Sequence, residues 1–251
     1  MNIGATGITD TGLYFQWGNT QGYTVSQVGS DEGKKYFGWA DYKYGNGTSS
    51  PGDTGMTKYN STDGLTTLEL SDDSVHANMG GSWRMPTTEE FQALDTATTS
   101  TWTADYEDSG VAGLILTSNA DSSKKLFFPA TGFCSDGNVF NTGSHGRYWS
   151  SSVSSSIVQH AYCLNFSNSV DWQYGSSRYF GFPVRGVWDG SDTPTKLSEI
   201  TPNTKKIYRD ITTNKLYYWN DVYMLIAPNA INTTYSVLKT LRDNSQLVPG
   251  Q

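Results

Sequence analysis

Glycine, asparagine, aspartate, serine and threonine interrupt this chain every few residues, and that punctuation is its strongest constraint. It leaves room for short strands and turns but for few helices of ordinary length. The residues between the breaks that are β-branched or aromatic read as strands: Leu13–Trp17, Ala112–Thr117, Lys125–Phe128, Tyr148–Ser152, Ala161–Phe166 and Phe182–Val187. Two early segments read as helices. Asp72–Met79 has acidic residues in its first turn, where they meet the positive end of the helix dipole, and Gly80-Gly81 to stop it. The second follows Pro86: Thr87 and Glu90 have capping-box spacing, and Phe91 and Leu94 share one face. Two short helices followed by many strands predict an α+β fold rather than alternating βαβ units.

With 251 residues, the chain is long enough for one large domain or two small ones. Charged residues make up only 16% and aromatics reach 14%, which excludes a coiled coil and a disordered chain. The net charge is −7 and no basic patch stands out, so nucleic acid is not an expected partner. No apolar run approaches the ~20 residues that span a bilayer, so membrane insertion is not expected either. The start, MNIGATGITD, shows no basic n-region or apolar h-region. Cys134 and Cys163 can form one bridge or none.

A boundary falls near Trp188. The stretch DGSDTPTKLSEITPNT is polar, carries two prolines and reads as a linker. Beyond it, Lys206–Asp210 and Lys215–Trp219 flank a hairpin turn at Ile211–Asn214, Val222–Ile226 suits a third strand, and Ser236–Arg242 a short helix. The ending LVPGQ has neither polar tail nor cap and is read as a truncation. The organisation expected is thus a domain over 1–190, then a linker and small β-hairpin module over 191–251.

Residues Pro129 to Trp188 contain no Lys, Glu or Met, and their charged residues are Asp136, Arg147, Asp171, Arg178 and Arg185. Serines and aromatics dominate. Antibody paratopes share this make-up because aromatic rings give large contact area at low rotamer cost, and Ser, Gly and Asn give adaptable hydrogen bonds. The same composition also suits a β-rich core with serine-rich loops. Alternation turns Leu164 and Phe166 inward, and their neighbours Tyr162, Cys163 and Asn165 point outward or sit in loops. A cluster of Tyr162, Tyr174, Tyr179 and Phe180 on the surface then forms an apolar patch, the usual mark of an interaction site.

GLYFQWG (12–18), KYFGWADYKY (35–44), TKYN (57–60), LELSDDSVHANMGGSWRMPTTEEFQAL (68–94), LFFPATGF (126–133), GRYWSSS (146–152) and RYFGFPVRGV (178–187) together resemble a C-type-lectin-like domain. The group they resemble is the Bacteroides and phage type related to formylglycine-generating enzyme, and within it the variable proteins of diversity-generating retroelements. The resemblance implies two short helices, a mixed and mostly antiparallel sheet, and a variable face within about residues 133–181. It implies a ligand-binding role on a phage tail or bacterial cell surface, with a cell-surface protein or glycan as receptor, no cofactor and possible homotrimers. In such systems mutagenesis acts at adenines, mostly in Asn codons, which can become Tyr, Ser, His, Cys, Phe, Ile, Asp, Gly or Arg but not Lys, Glu, Met, Gln or Trp. The composition after Pro129 fits. Gln159, Gln173, Trp149 and Trp172 are then scaffold. The expected partner-facing set is His145, Arg147, Ser155, Ile157, His160, Tyr162, Cys163, Tyr174, Ser176, Tyr179 and Phe180. The segments TPNTKKIYRDITTNKLYYWNDVYMLI and LRDNSQLVPGQ are similar to modules of phage tail and baseplate proteins.

Other motifs carry less. Trp219-Asn220-Asp221 spells the calcium-ligating tripeptide of sugar-binding lectins, but it lies in the tail module, and calcium needs about six to eight oxygen ligands. Asp72 and Asp73 are read as helix caps. His76, His145 and His160 match no metal spacing. The related enzymes use a reactive cysteine pair, for which Cys134 and Cys163 are the candidates, yet no flanking residue supplies the cation that lowers a thiol pKa. No nucleophile elbow accompanies Ser150–Ser152, and no phosphate loop occurs. The readings carried forward are a ligand-binding display protein, an enzyme of the formylglycine-generating type, and a non-variable surface adhesin.

Overall fold

A computed structural model describes residues 1–47, 55–167 and 169–188, together with the backbone of four short strands in the tail. The elements are α1 (Ser74–Met79), β1 (Trp83–Arg84), α2 (Thr88–Ala97), β2 (Thr98–Thr103), β3 (Gly113–Ser118), β4 (Lys125–Pro129), β5 (Phe133–Ser135), β6 (Asn138–Phe140), β7 (Gly146–Val153), β8 (His160–Phe166), β9 (Val170–Ser177) and β10 (Val187–Trp188). The tail strands are β11 (Ile207–Asp210), β12 (Leu216–Trp219), β13 (Tyr223–Ile226) and β14 (Leu247–Pro249). The protein is α+β, with small antiparallel sheets ordered β2-β3-β4, β5-β6, β7-β8-β9, β1-β10 and β13-β12-β11-β14. It divides into two compact units: Met1–Ser74 with Met85–Gly186, and Val75–Arg84 with Val187–Gln251.

Helix α2 forms where its local sequence directs. The Thr87 hydroxyl accepts the Glu90 amide, and the Glu90 carboxylate accepts the Thr87 amide at 2.8 Å, so two orphan donors of the first turn are satisfied. Phe91 is buried and Leu94 packs beside it in a core made with Leu114 and Leu116 of β3, Phe128 of β4, and Tyr148, Leu164 and Phe166 of β7 and β8. This core covers one face of the β7-β8-β9 sheet.

The other face is covered by the chain's beginning. Trp149 stacks on Phe182 at 4.0 Å and donates its indole N–H to the Phe15 carbonyl; Trp17 donates to the Ser150 carbonyl. Tyr14, Phe15, Trp17, Trp149, Cys163 and Phe182 have no measurable exposure. Leu13–Trp17 and Phe182–Val187 were expected as strands, yet they join through single bridges, Phe15↔Phe182, Asn2↔Arg185 and Tyr14↔Tyr23. Pro183 has no amide hydrogen to donate, and Gly12 and Gly18 turn the N-terminal segment through positive φ, so neither run sustains a ladder.

Three further expectations are corrected. Helix α1 starts at Ser74, not Asp72. Asp72 is no cap: its buried carboxylate binds Lys43 and Lys58 and accepts the Tyr59 hydroxyl at 2.7 Å. Strands β2, β5, β6 and β9 form outside the runs expected as strands. The linker, the helix over Ser236–Arg242, the tail hairpin's turn and Asn220-Asp221 lie outside the described residues.

Candidate ligand-binding face

Strand β8 sorts the expected site residues. Its alternation is unbroken, because both register irregularities place their extra residues elsewhere. Between Trp149↔Cys163 and Val153↔Ala161 the surplus is in β7, and between Cys163↔Tyr174 and Asn165↔Asp171 it is in β9. Ala161, Cys163 and Asn165 therefore share one face with Arg147, Trp149, Tyr174 and Ser176. His160, Tyr162, Leu164 and Phe166 share the other, on the side of α2. The expected set is split between the two.

On the first face, Arg147 lies between two rings, its guanidinium carbon 4.3 Å from the Phe133 centroid and 5.3 Å from that of Tyr174. Its Nε donates to Asn165 Oδ1 at 3.1 Å. Phe133 continues the row to Phe140 at 5.4 Å and Phe180 at 5.5 Å; Phe180 meets Tyr179 at 4.5 Å, and Tyr179 meets Trp39 at 4.8 Å. Tyr174 is 36% exposed and Phe140 41%, while Phe133, Arg147, Tyr179, Phe180 and Trp39 are half-buried. Beneath them, Phe182 and Trp149 form a closed floor.

Local sequence explains this assembly. Ser135-Asp136-Gly137-Asn138 closes β5-β6 with positive φ at both central residues, 48° and 72°, the type I′ geometry that matches strand twist. That hairpin presents Phe133 and Phe140 side by side. Gly181 then bonds Cys134 in both directions, at 2.8 and 2.9 Å, which carries Tyr179 and Phe180 to the hairpin. A Cβ at Gly181 would lie 2.5 Å from the Phe37 ring, so only glycine permits this approach.

Cys163 and Ser176 are corrections. They lie on the ring-bearing side of the sheet but beneath its covering, at 0% and 3% exposure, and face no partner. Cys163 Sγ donates to the Tyr174 carbonyl at 3.3 Å, whereas the Ser176 hydroxyl has no partner among the described residues. Both cysteines are free thiols, and burial pushes each pKa up, away from the thiolate that a reactive cysteine needs.

Tyr162 turns away from Tyr174. Its hydroxyl pairs with Ser155 Oγ at 2.8 Å and accepts the Ser155 amide, and those bonds lower its pKa. Ser155 and Ile157 line a groove of about 550 Å³ together with Tyr59, Leu65, Thr66 and Val153. His160 lies near Ser177 Oγ at 3.4 Å; burial first, and Arg178 second, depress its pKa. His145 occupies the turn before β7, with Nδ1 3.1 Å from Ser144 Oγ. Arg147, Tyr174, Tyr179 and Phe180 are thus brought together, and Ser155, Ile157, His160 and Tyr162 fall elsewhere. Sequence reasoning missed Phe133, Phe140 and Trp39, although Asp136-Gly137 between aromatic runs is a strong hairpin signal.

Among the described residues, no group of three or more His, Cys, Asp or Glu is placed to hold a metal ion, and no helix is long and apolar enough to cross a membrane. Set against known protein families, curated proteins and solved structures, the chain finds no match in any of the three.

Proposed function

We propose that this chain is a receptor-recognition protein: a C-type-lectin-like scaffold of the retroelement-diversified type, carried on a phage tail or bacterial surface, that binds a bacterial cell-surface protein or glycan. One observation carries the reading. Arg147, Tyr174, Tyr179 and Phe180, which lie in two strands and one turn of the serine- and aromatic-rich stretch, join Phe133 in one continuous ring-bearing face over a closed floor. Aromatic and arginine side chains on such a surface are the residue types that dominate binding energy in protein recognition. The two short helices and small antiparallel sheets agree with the resemblance. The enzyme reading finds less support, since both thiols are buried and pushed towards the neutral form.

The test is a cell-binding assay with bacteria of the host range. Replacing Tyr174, Tyr179 and Phe180 together by Ala should abolish attachment while the near-ultraviolet circular dichroism of the buried tryptophans persists. Attachment that survives the triple replacement contradicts the proposal. Sibling genes of the same retroelement should differ at Arg147, Tyr174, Tyr179 and Phe180 more than at Trp149 and Phe182.

A further inference from the structure

Among the described residues, Arg147 is the one cation over the rings Phe133, Tyr174 and Phe182, and its bonding is incomplete. Its Nε is fixed by Asn165 Oδ1 at 3.1 Å. Among the described residues, neither terminal nitrogen has a hydrogen-bond or ion-pair partner. The nearest carboxylate by register is Asp171, opposite Asn165, and its Oδ1 accepts the Gln173 amide at 3.0 Å instead. Asp136, in the β5-β6 turn, accepts the Ser135 hydroxyl at 2.6 Å. The guanidinium is therefore oriented on one side, stacked between two rings, and left with donors to spare.

We infer that the ring-bearing face takes a carboxylate of a protein partner, an Asp or Glu side chain, on the fork of Arg147. This rests on the recognition reading above and adds the chemistry of the partner. A planar guanidinium matches a carboxylate through two parallel N–H···O bonds, which an ammonium cannot imitate. Stacking on Phe133 and Tyr174 holds the plane of the fork and strips water from its faces, so less freedom is lost when the acid docks. The choice of a protein over an acidic sugar follows from the surroundings. The groove of about 550 Å³ shares no residue with this face, so Arg147 stands on ring-bearing surface outside it. A saccharide carboxylate calls for several directed polar donors around it. Here, apart from Asn165 on Nε, the side chains packed against the guanidinium are rings, the setting of an arginine at a protein–protein hot spot.

The experiment needs no receptor. N-acetylglutamate α-amide and N-acetylglutamine α-amide differ only in the carboxylate. Each is titrated into the full chain while the Arg147 side-chain N–H resonance, or in the lysine variant that of the adjoining Asn165 side-chain amide, is followed by NMR, with galacturonate and galactose as a second pair. The glutamate probe should bind at least tenfold more tightly than the glutamine probe, with a Kd on the order of millimolar. In Arg147→Lys, which keeps the charge but not the fork, that preference should vanish. Equal binding of the two amides, no binding of the glutamate probe, or an undiminished preference in Arg147→Lys overturns the inference. Galacturonate binding more tightly than the glutamate probe also overturns it, in favour of an acidic glycan. Because the readout is Arg147 and the amide adjoining it, it can fail while the Tyr174, Tyr179 and Phe180 replacement still abolishes cell attachment, and the reverse, so the two claims fall separately.

Discussion

Asp72 shows how a single residue is decided by partners far away in sequence. Its neighbours suggested a helix cap, but Lys58 and Lys43 reach it across 14 and 29 residues. Nothing local announces such a closure, which is why the role was illegible. Burial opposes ionisation of this carboxyl, yet hydrogen bonds from Lys43, Lys58, Tyr44 and Tyr59 outweigh it and hold the pKa well below the ordinary 3.8. A carboxyl with a depressed folded pKa contributes stability that is fully present above its unfolded value and is lost as pH falls towards the folded one. Asp72→Asn should therefore destabilise by about 2 kcal/mol near neutral pH, since it leaves Lys43 without its carboxylate partner and Lys58 with Glu69 alone. The deficit in urea midpoint, measured against wild type, should shrink as the pH drops below 3.8. A constant deficit down the acid limb would assign the loss to packing. Arg178 is equally long-range: fully buried, it donates to the carbonyls of Tyr59, Lys58 and His160 and packs over Trp17, and sequence alone offered no hint of that burial.

At the scale of elements, legibility follows how local the determinant is. Helix α2 was readable because its capping box spans four residues, and Thr87→Ala should lower stability by about 1 kcal/mol in a thermal melt. Strands β7 and β8 were readable because each carries aromatic and apolar residues, Tyr148 and Trp149 in one and Leu164 and Phe166 in the other, that are wholly buried. Strand β9 was not: VDWQYGSS forms a ladder only because β8 lies beside it, and its polar side chains suit an exposed edge. The close passage of β7 against β8 depends on Gly146, where a Cβ would fall 2.0 Å from the Phe166 ring. That ring is wholly buried and stacks parallel to Tyr148, so it has nowhere to retreat. Gly146→Ala should cost about 1–3 kcal/mol, read from the shift in urea midpoint, and Phe166→Leu in the same chain should restore part of it by clearing the ring.

The whole molecule separates what is displayed from what holds it up, and this is where the candidate site was half legible. Composition pointed to the right stretch of chain, but it could not tell Tyr174, which emerges, from Cys163 and Ser176, which lie beneath the covering laid down by the first residues of the chain. That covering is a contact of high sequence separation, with Phe15 bridged to Phe182 and Trp149 bonded to Phe15. If recognition is uncoupled from folding, exchange at the displayed positions must be nearly neutral and exchange one layer down must not. Tyr174→Ser, on a residue 36% exposed, should change unfolding free energy by less than about 1 kcal/mol. Cys163→Tyr puts a ring into a site with no exposure and should cost about 3 kcal/mol or more. Ser176→Ala removes a buried hydroxyl that has no hydrogen-bond partner among the described residues and should stabilise by about 1 kcal/mol. Denaturant unfolding of the three variants orders them. Should Tyr174→Ser fall as far as Cys163→Tyr, the rings would be part of the core, and a surface free to change its specificity would have no foundation here.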